Sequence, residues 1–406
     1  MAQQDIVVID SGGCSCRIGV ASDRNTINEF PNCTAKLKGE RQVLVGLDIL
    51  EVKDVSSLAL RRPVDRGYVT AWDVQKEVWA RALRRLYPNL QPGGSGIVLT
   101  EPYFNLPALR EAALQVLFQE LGFAAVVMVP PAVLSLRWFA ATAGAPNTGN
   151  PASAAAAAGC GLVIDAGFSF THAVPVFDWH VVTSAVKRID LGGKALTNYM
   201  KELVSYRSIN MMDESYLLEH IKDTLAFVSQ NPVDDLAASR RRDSPFKKEW
   251  LLPDGVTSTW GQLVQPGEPR GPKDPILVIN NERFMVPEAL FNPADIGMEQ
   301  EGLAEVVFDA ISSCHPHIHG LLYSNVIVTG GTAKCPGIKE RLESELRPLV
   351  PDDYILNVTV LEEPEKAAWR GGALLAGCAA EFRVRAVSRA EWQQHGAAAC
   401  GGRWNA

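Results

Sequence analysis

The sequence predicts an α/β protein made of two similar halves that face a cleft. Three observations predict it: a hairpin of one residue plan occurs twice, strand and helix patterns alternate around it, and a glycine pair closes a strand ahead of a helix. In one hairpin the apolar run beginning at Leu162 ends in Asp165, turns through Ala166 and Gly167, and resumes as an apolar run through Ala173 to Phe177, the signature of paired strands. In the other, Ile6 to Ile9 is apolar, Asp10 ends the run, Ser11, Gly12 and Gly13 turn, and Arg17 to Val20 returns.

Two such turns facing each other would aim backbone N–H groups at one anion, with glycine permitting close approach. Asp10 and Asp165 would then stand where a hydrated magnesium ion sits beside phosphates, because Mg2+ keeps most of its waters and needs few protein ligands. Arg17 is placed to pair with phosphate oxygens in bidentate fashion. A single turn of this kind is often purely conformational; its repetition is what points to a phosphate clamp.

Composition bounds the rest. At 406 residues, with 47% hydrophobic and 21% charged, the chain holds about two domains with ample core. No run approaches the roughly 20 apolar residues that span a bilayer, and the start of the chain does not have the basic-then-apolar order of a signal peptide. A net charge of −7 argues against free nucleic acid as the main partner. The eight cysteines lack paired zinc-type spacing, which favours a reducing compartment.

Along the chain, Asn25 to Pro63 concentrates its apolar residues only at Leu44, Leu47, Ile49 and Leu50 and suggests a small appended lobe. Val74, Val78, Trp79, Ala82, Leu83 and Leu86 form a helix face closed by Pro88. Gly96 to Thr100 reads as a buried strand, and Asn105 as the cap of a helix with Pro107 in its first turn. Ala141 to Gly159 is Ala-, Gly- and Ser-rich and reads as a disordered or loosely helical insertion, having no large apolar side chains to offset its ordering entropy. Helices are expected from Ala195 to Val204, Gly302 to Ser312 and Ile338 to Leu346. Between them, Asp234 to Pro275 is a long polar insertion carrying Arg240, Arg241 and Arg242 together with exposed-looking apolar groups (Phe246, Trp250, Leu251, Leu252, Trp260, Leu263), the mixture found at interface hot spots. The basic run suits a contact to DNA or histone, an import signal, or a solvated loop. Gly330 and Gly331 follow the strand Asn325 to Thr329, the position at which α/β folds bind nucleotides; Gly371-Gly372 reads as a packing turn. His315, His317 and His319 read as a surface loop rather than as metal ligands.

Many of these stretches match one family in order. Ile9-Asp10-Ser11-Gly12, Trp72-Asp73, Leu99-Thr100-Glu101, Ala132-Val133-Leu134-Ser135, Val163-Ile164-Asp165 with Thr171-His172, Pro287 to Phe291 with Ile296-Gly297-Met298, Thr329-Gly330-Gly331-Thr332 and Trp369-Arg370-Gly371-Gly372 resemble actin and the actin-related proteins over nearly the whole chain. Thr100 to Asn105, Gly167 to His172, Gly192 to Asn198 and Asn281 to Phe284 resemble a nuclear branch of that family, whose members are subunits of Swr-type chromatin remodelling complexes that exchange histone variants.

The resemblance implies two α/β core lobes, each with a smaller appended lobe: 1–31, 70–150 and 367–406 in the first core; 32–69 appended to it; 151–191 and 297–366 in the second; and 192–296 appended, with the insertion at 234–275. It implies ATP or ADP with Mg2+ in the cleft. Asp10, Gly12, Gly13, Arg17, Asp165 and Gly167 would hold phosphate and, through water at the two carboxylates, the metal. His172 would face the terminal phosphate, and Lys222, Asp223, Gly330 and Gly331 the adenosine. It further implies a nuclear location and, as partners, a remodelling ATPase, a zinc-finger subunit, and histones or nucleosomal DNA, with no membrane and no homopolymer.

The departures from the family matter as much. Cys14 stands where actin has a glycine, and Phe168 and Ser169 replace an acidic residue and a glycine, making both turns bulkier. Cys335 replaces an aromatic that would stack on adenine. The glutamine that positions the attacking water falls at Pro131, and proline has no side-chain donor or acceptor. The expectation is a docking scaffold that binds nucleotide without useful turnover; the alternative is a cytoskeletal, actin-like protein with slow ATPase activity.

Overall fold

The computed structural model describes residues 5–37, 39, 41–143, 150–256, 258–265, 267, 271, 274–400 and 403–404. Its first sheet runs, edge to edge, through Val387–Ser388, Ala125–Val129, Gly96–Thr100, Ile6–Ser11, Ser15–Val20 and Asn28–Pro31. Ile6–Ser11 pairs parallel with Gly96–Thr100 and antiparallel with Ser15–Val20, which sets Arg17 opposite Asp10. The run of β-branched residues is continuous because both faces are covered. Val7 and Ile9 pack with Val78, Trp79 and Leu114 on one side, while Val8 packs with Leu134 and Trp369 on the other.

The second sheet repeats the plan. Gly161–Ala166 pairs parallel with Val326–Thr329 and antiparallel with Thr171–Phe177, which sets His172 opposite Asp165. Val8, Val98, Val163, Val174 and Ile327 belong to one buried cluster, so the two halves share a core as well as a topology. Among the described residues, two three-stranded sheets flank them. Val43–Val45, Thr34–Leu37 and Leu58–Arg61 form one; Gln262–Leu263, Lys248–Leu251 and Ile276–Ile279 form the other.

Five local expectations are corrected, the first being Gly371-Gly372, which is not a turn but lies inside the helix Ala367–Gly377 and lets it pack closely on its neighbour. The helix Pro107–Gln115 has Leu106 at its N-cap, with no side-chain cap bond, because the Asn105 amide donates instead to Glu101 at 2.8 Å. Of the Ala-rich stretch, residues 144–149 lie outside the described set, but Pro151–Ala157 is a helix. The Asn150 side chain accepts the Ala152 N–H at 3.0 Å, and Ala152, Ala155 and Ala156 are buried. Small side chains let this helix lie close to its neighbours, so large apolar ones were not needed. His317 and His319 lie not on a loop but in the helix Pro316–Tyr323, with His315 at its N-cap.

The last correction concerns the 234–275 connection, of which residues 257, 266, 268–270, 272 and 273 lie outside the described set. Its aromatics turn inward. Trp250 is buried on the middle strand of its sheet and donates its indole N–H to the Trp260 carbonyl at 3.0 Å. Trp260 packs on Tyr216 and His220, and Phe246 on Phe227 and Phe284. Arg240, Arg241 and Arg242 stay exposed, together with Asp243, Lys247 and Val256 among others.

Candidate functional site

The two hairpin turns close in the same way. The Gly12 N–H donates to the Ser15 carbonyl, and the Gly167 N–H to the Phe170 carbonyl, both at 3.0 Å. They meet at a cavity of about 340 Å3 lined by Asp10, Gly12, Gly13, Arg17, Asp165, Gly167, His172, Lys222, Asp223, Gly330 and Gly331. All the residues singled out from the sequence for phosphate, metal and adenosine are therefore on one wall system. Gly330 is glycine by necessity: its φ is +93°, and a Cβ there would lie 2.4 Å from the Ala166 carbonyl oxygen.

Contacts inside the cavity refine the roles. Arg17 does not project its fork into open space: one terminal nitrogen bonds Asp10 at 3.2 Å and the other Glu29 at 2.6 Å. Thr100 donates its hydroxyl to Asp10 at 3.0 Å and accepts the Ser11 N–H at 3.1 Å. Lys222, buried, pairs with the neighbouring Asp223. A Cβ at Gly13 would lie 3.0 Å from Ser169 Oγ and 3.2 Å from the Phe168 ring, so the two turns abut. Beside this cavity a small hollow of about 30 Å3 is lined by Leu196, Lys222, Asp223, Pro287, Gly331 and Cys335, among others.

Residues without a local sequence signal also shape the site. The Arg62 guanidinium lies 4.5 Å over the Phe168 ring, donates to the Cys14 carbonyl at 2.9 Å and pairs with Glu219 at 3.0 Å. Glu219 also accepts the Cys14 thiol at 2.6 Å. Burial, followed by the Glu219 charge, pushes that thiol well above its usual range. Tyr103 was quoted for the resemblance alone, yet its hydroxyl donates to Asp165 at 3.1 Å.

The wall fits a polar ligand on its own evidence. Arg17 Nε, Trp72 Nε1, Ser135 Oγ and Glu365 Oε2 are buried without a hydrogen-bond partner, and all four residues line the cavity; such atoms call for a partner from a ligand or water. Among the described residues no three His, Cys, Asp or Glu side chains converge as a metal cage. A cation beside Asp10 and Asp165 would have to keep its water shell, as magnesium does.

Comparison with known proteins agrees with this geometry. A family model described as Actin matches residues 1–404. The chain belongs to the actin family. Its two sheets, the two Asp-ended hairpins and the cleft between them are the actin fold in this molecule. Relatives named actin-related protein 6 match along nearly their full length. That of Oryza sativa subsp. indica is 41% identical, with 97% of each chain covered, and that of Arabidopsis thaliana is 39% identical, with 98% of each covered. The Drosophila melanogaster relative of the same name is 35% identical over 96% of this chain and 97% of its own.

Two half-buried groups at the hairpin ends make opposing contributions to stability. Burial, then the Asp10 charge, raises Asp165 from 3.8 to about 6 against the lowering effect of the Tyr103 bond. Burial, then the nearby Arg188, lowers His172 from 6.5 to about 4. From pH 4 to 6 the folded chain holds a proton on Asp165 that the unfolded chain has lost, so this contribution weakens stability as pH rises. Over nearly the same window the unfolded chain holds a proton on His172 that the folded chain lacks, so that contribution strengthens it. In the wild type they offset. Asp165→Asn is expected to become more stable relative to wild type as pH rises from 4 to 6, by on the order of 2 kcal/mol, and His172→Gln less stable by a similar amount. Urea midpoints across this window check it; parallel profiles for all three proteins would refute the assignment.

Proposed function

We propose that the chain is a non-polymerising structural subunit of a nuclear, Swr-type remodelling complex, and that its cleft holds adenine nucleotide with Mg2+ statically. One observation carries the reading. The cleft keeps Asp10, Asp165 and both glycine turns, while Pro131, on its wall, offers no side-chain group to orient water. The carboxylates would hold the hydrated metal and the turns the phosphates; the nucleotide's part is to tie the two halves together. Relatives named actin-related protein 6 support membership of the nuclear branch. Partners are then a remodelling ATPase and a zinc-finger subunit, with histones or nucleosomal DNA nearby. With the aromatics of the 234–275 connection turned inward, the exposed Arg240 to Arg242 run is the part of it we assign to a partner.

The test is affinity purification of the tagged full-length chain from nuclear extract, followed by sizing and identification of its stable companions. Co-migration with a remodelling ATPase and a zinc-finger protein is expected, with a lower yield when Arg240, Arg241 and Arg242 are changed together to alanine. The cytoskeletal alternative predicts pelleted filaments after addition of salt, Mg2+ and ATP, and such filaments would end the scaffold reading.

A further inference from the structure

The cavity floor carries a hydroxyl that the scaffold reading leaves without a task. Tyr103 is 8% exposed, and its hydroxyl joins the two halves. It donates to Asp165 Oδ2 at 3.1 Å and accepts the backbone N–H of Ala132 at 3.0 Å. Asp165 ends a strand of the second sheet, and Ala132 lies in the first turn of the helix Pro131–Thr142. The ring packs 4.8 Å from the His172 ring, tilted by 54°. The loop is built to hold it there. Phe104 has a φ of +56°, a left-handed conformation that a bulky L-residue rarely adopts, and the Tyr68 hydroxyl donates to the Tyr103 carbonyl at 3.1 Å.

An oxygen that donates to a carboxylate and accepts from a backbone N–H makes the bonds of an ordered water. We infer that the Tyr103 hydroxyl occupies the place of the attacking water on the cleft floor, so that bound ATP survives because water is excluded. This deepens the nucleotide reading above and rests on it. Asp165 and the Ala132 N–H would hold a water just as they hold the phenol. With the hydroxyl gone and room made, the water's oxygen bonds to the terminal phosphorus. The bond from that phosphorus to the bridging oxygen breaks, and ADP, inorganic phosphate and a proton leave. Tyr103 is thus a positioning residue whose effect is to withhold the nucleophile.

The experiment loads the full-length chain with Mg2+ and ATP labelled at the terminal phosphate, removes unbound nucleotide, and follows retained nucleotide and released phosphate together. The wild type is expected to keep its label as ATP. Tyr103→Phe and the roomier Tyr103→Leu are expected to retain as much nucleotide and to release phosphate at least about tenfold faster. A merely structural role would not raise hydrolysis. Equal release from all three proteins at equal retention overturns the inference and leaves the nucleotide reading standing. Loss of nucleotide from both variants alone makes Tyr103 a structural prop and overturns it as well. A wild type that retains no nucleotide overturns the nucleotide reading, and this inference with it.

Discussion

Replacing Gly371 with valine is expected to leave no soluble folded protein. Gly371 lies inside the helix Ala367–Gly377, which packs on the helix Pro131–Thr142. A Cβ on it would sit 1.8 Å from the Leu134 carbonyl oxygen and 2.5 Å from the carbonyl carbon. The obstacle is backbone, which cannot rotate away. Nor can the helix retreat freely, because the buried Trp369 donates its indole N–H to the Val8 carbonyl at 3.0 Å. Alanine at 371 is the informative milder change. On an open helix surface Gly→Ala stabilises by about 1 kcal/mol; here it should destabilise by at least about 3 kcal/mol. Thermal melting of Gly371→Ala reads the sign directly, and a melting temperature at or above wild type would show that the two helices separate at little cost.

Glu288→Ala should be nearly as damaging, for an electrostatic reason. Arg341 and Glu288 form a bidentate pair with bonds of 2.8 and 3.0 Å, their side chains only 7% and 1% exposed. Arg341 also donates to the Ser229 carbonyl at 2.7 Å and lies 5.0 Å over the Phe291 ring. Removing Glu288 leaves the buried guanidinium with two unfilled N–H donors and Glu345, paired to its Nε, as its remaining counter-charge, at a cost of about 3 kcal/mol. Replacing both partners by methionine removes the under-compensated charge with the pair, and most of that loss should be recovered. Urea unfolding of the two single variants and the double variant closes the cycle; a double variant as unstable as the sum of the singles would show that the pair is not coupled.

What was legible in the sequence was local. Asp10 with Gly12, and Asp165 with Gly167, each end an apolar run in a turn, a pattern that needs no distant partner to be recognised. The helix ending at Leu86 announced itself by the spacing of its apolar residues. What stayed hidden depends on who the neighbour is. Asn105 has the chemistry of a cap, but the Glu101 carboxylate competes for it. Trp250 looked exposed because it stands among charges, and it is buried because strands pair on both sides of it. Phe168 and Tyr103 touch Gly13 and Asp165 across the cleft, at sequence separations for which no periodicity exists. The family resemblance supplied the cleft's location, but not the hydroxyl that fills its floor.

The first sheet is made from both ends of the chain: Ile6–Ser11 lies within it, Val387–Ser388 forms one edge, and the helix carrying Trp369 covers the Val8 face. On the ribosome Leu134 can reach that face early, but the cover given by Trp369 is missing until residues beyond 367 emerge. At about 5–20 residues per second, the β-branched strand Ile6–Ser11 waits roughly twenty to seventy seconds as a half-clad, aggregation-prone surface. Newly made chains cut short before Ala367 should therefore precipitate or be found on chaperones, and the folding yield in the cell should depend on what shelters the N-terminal strands during that delay.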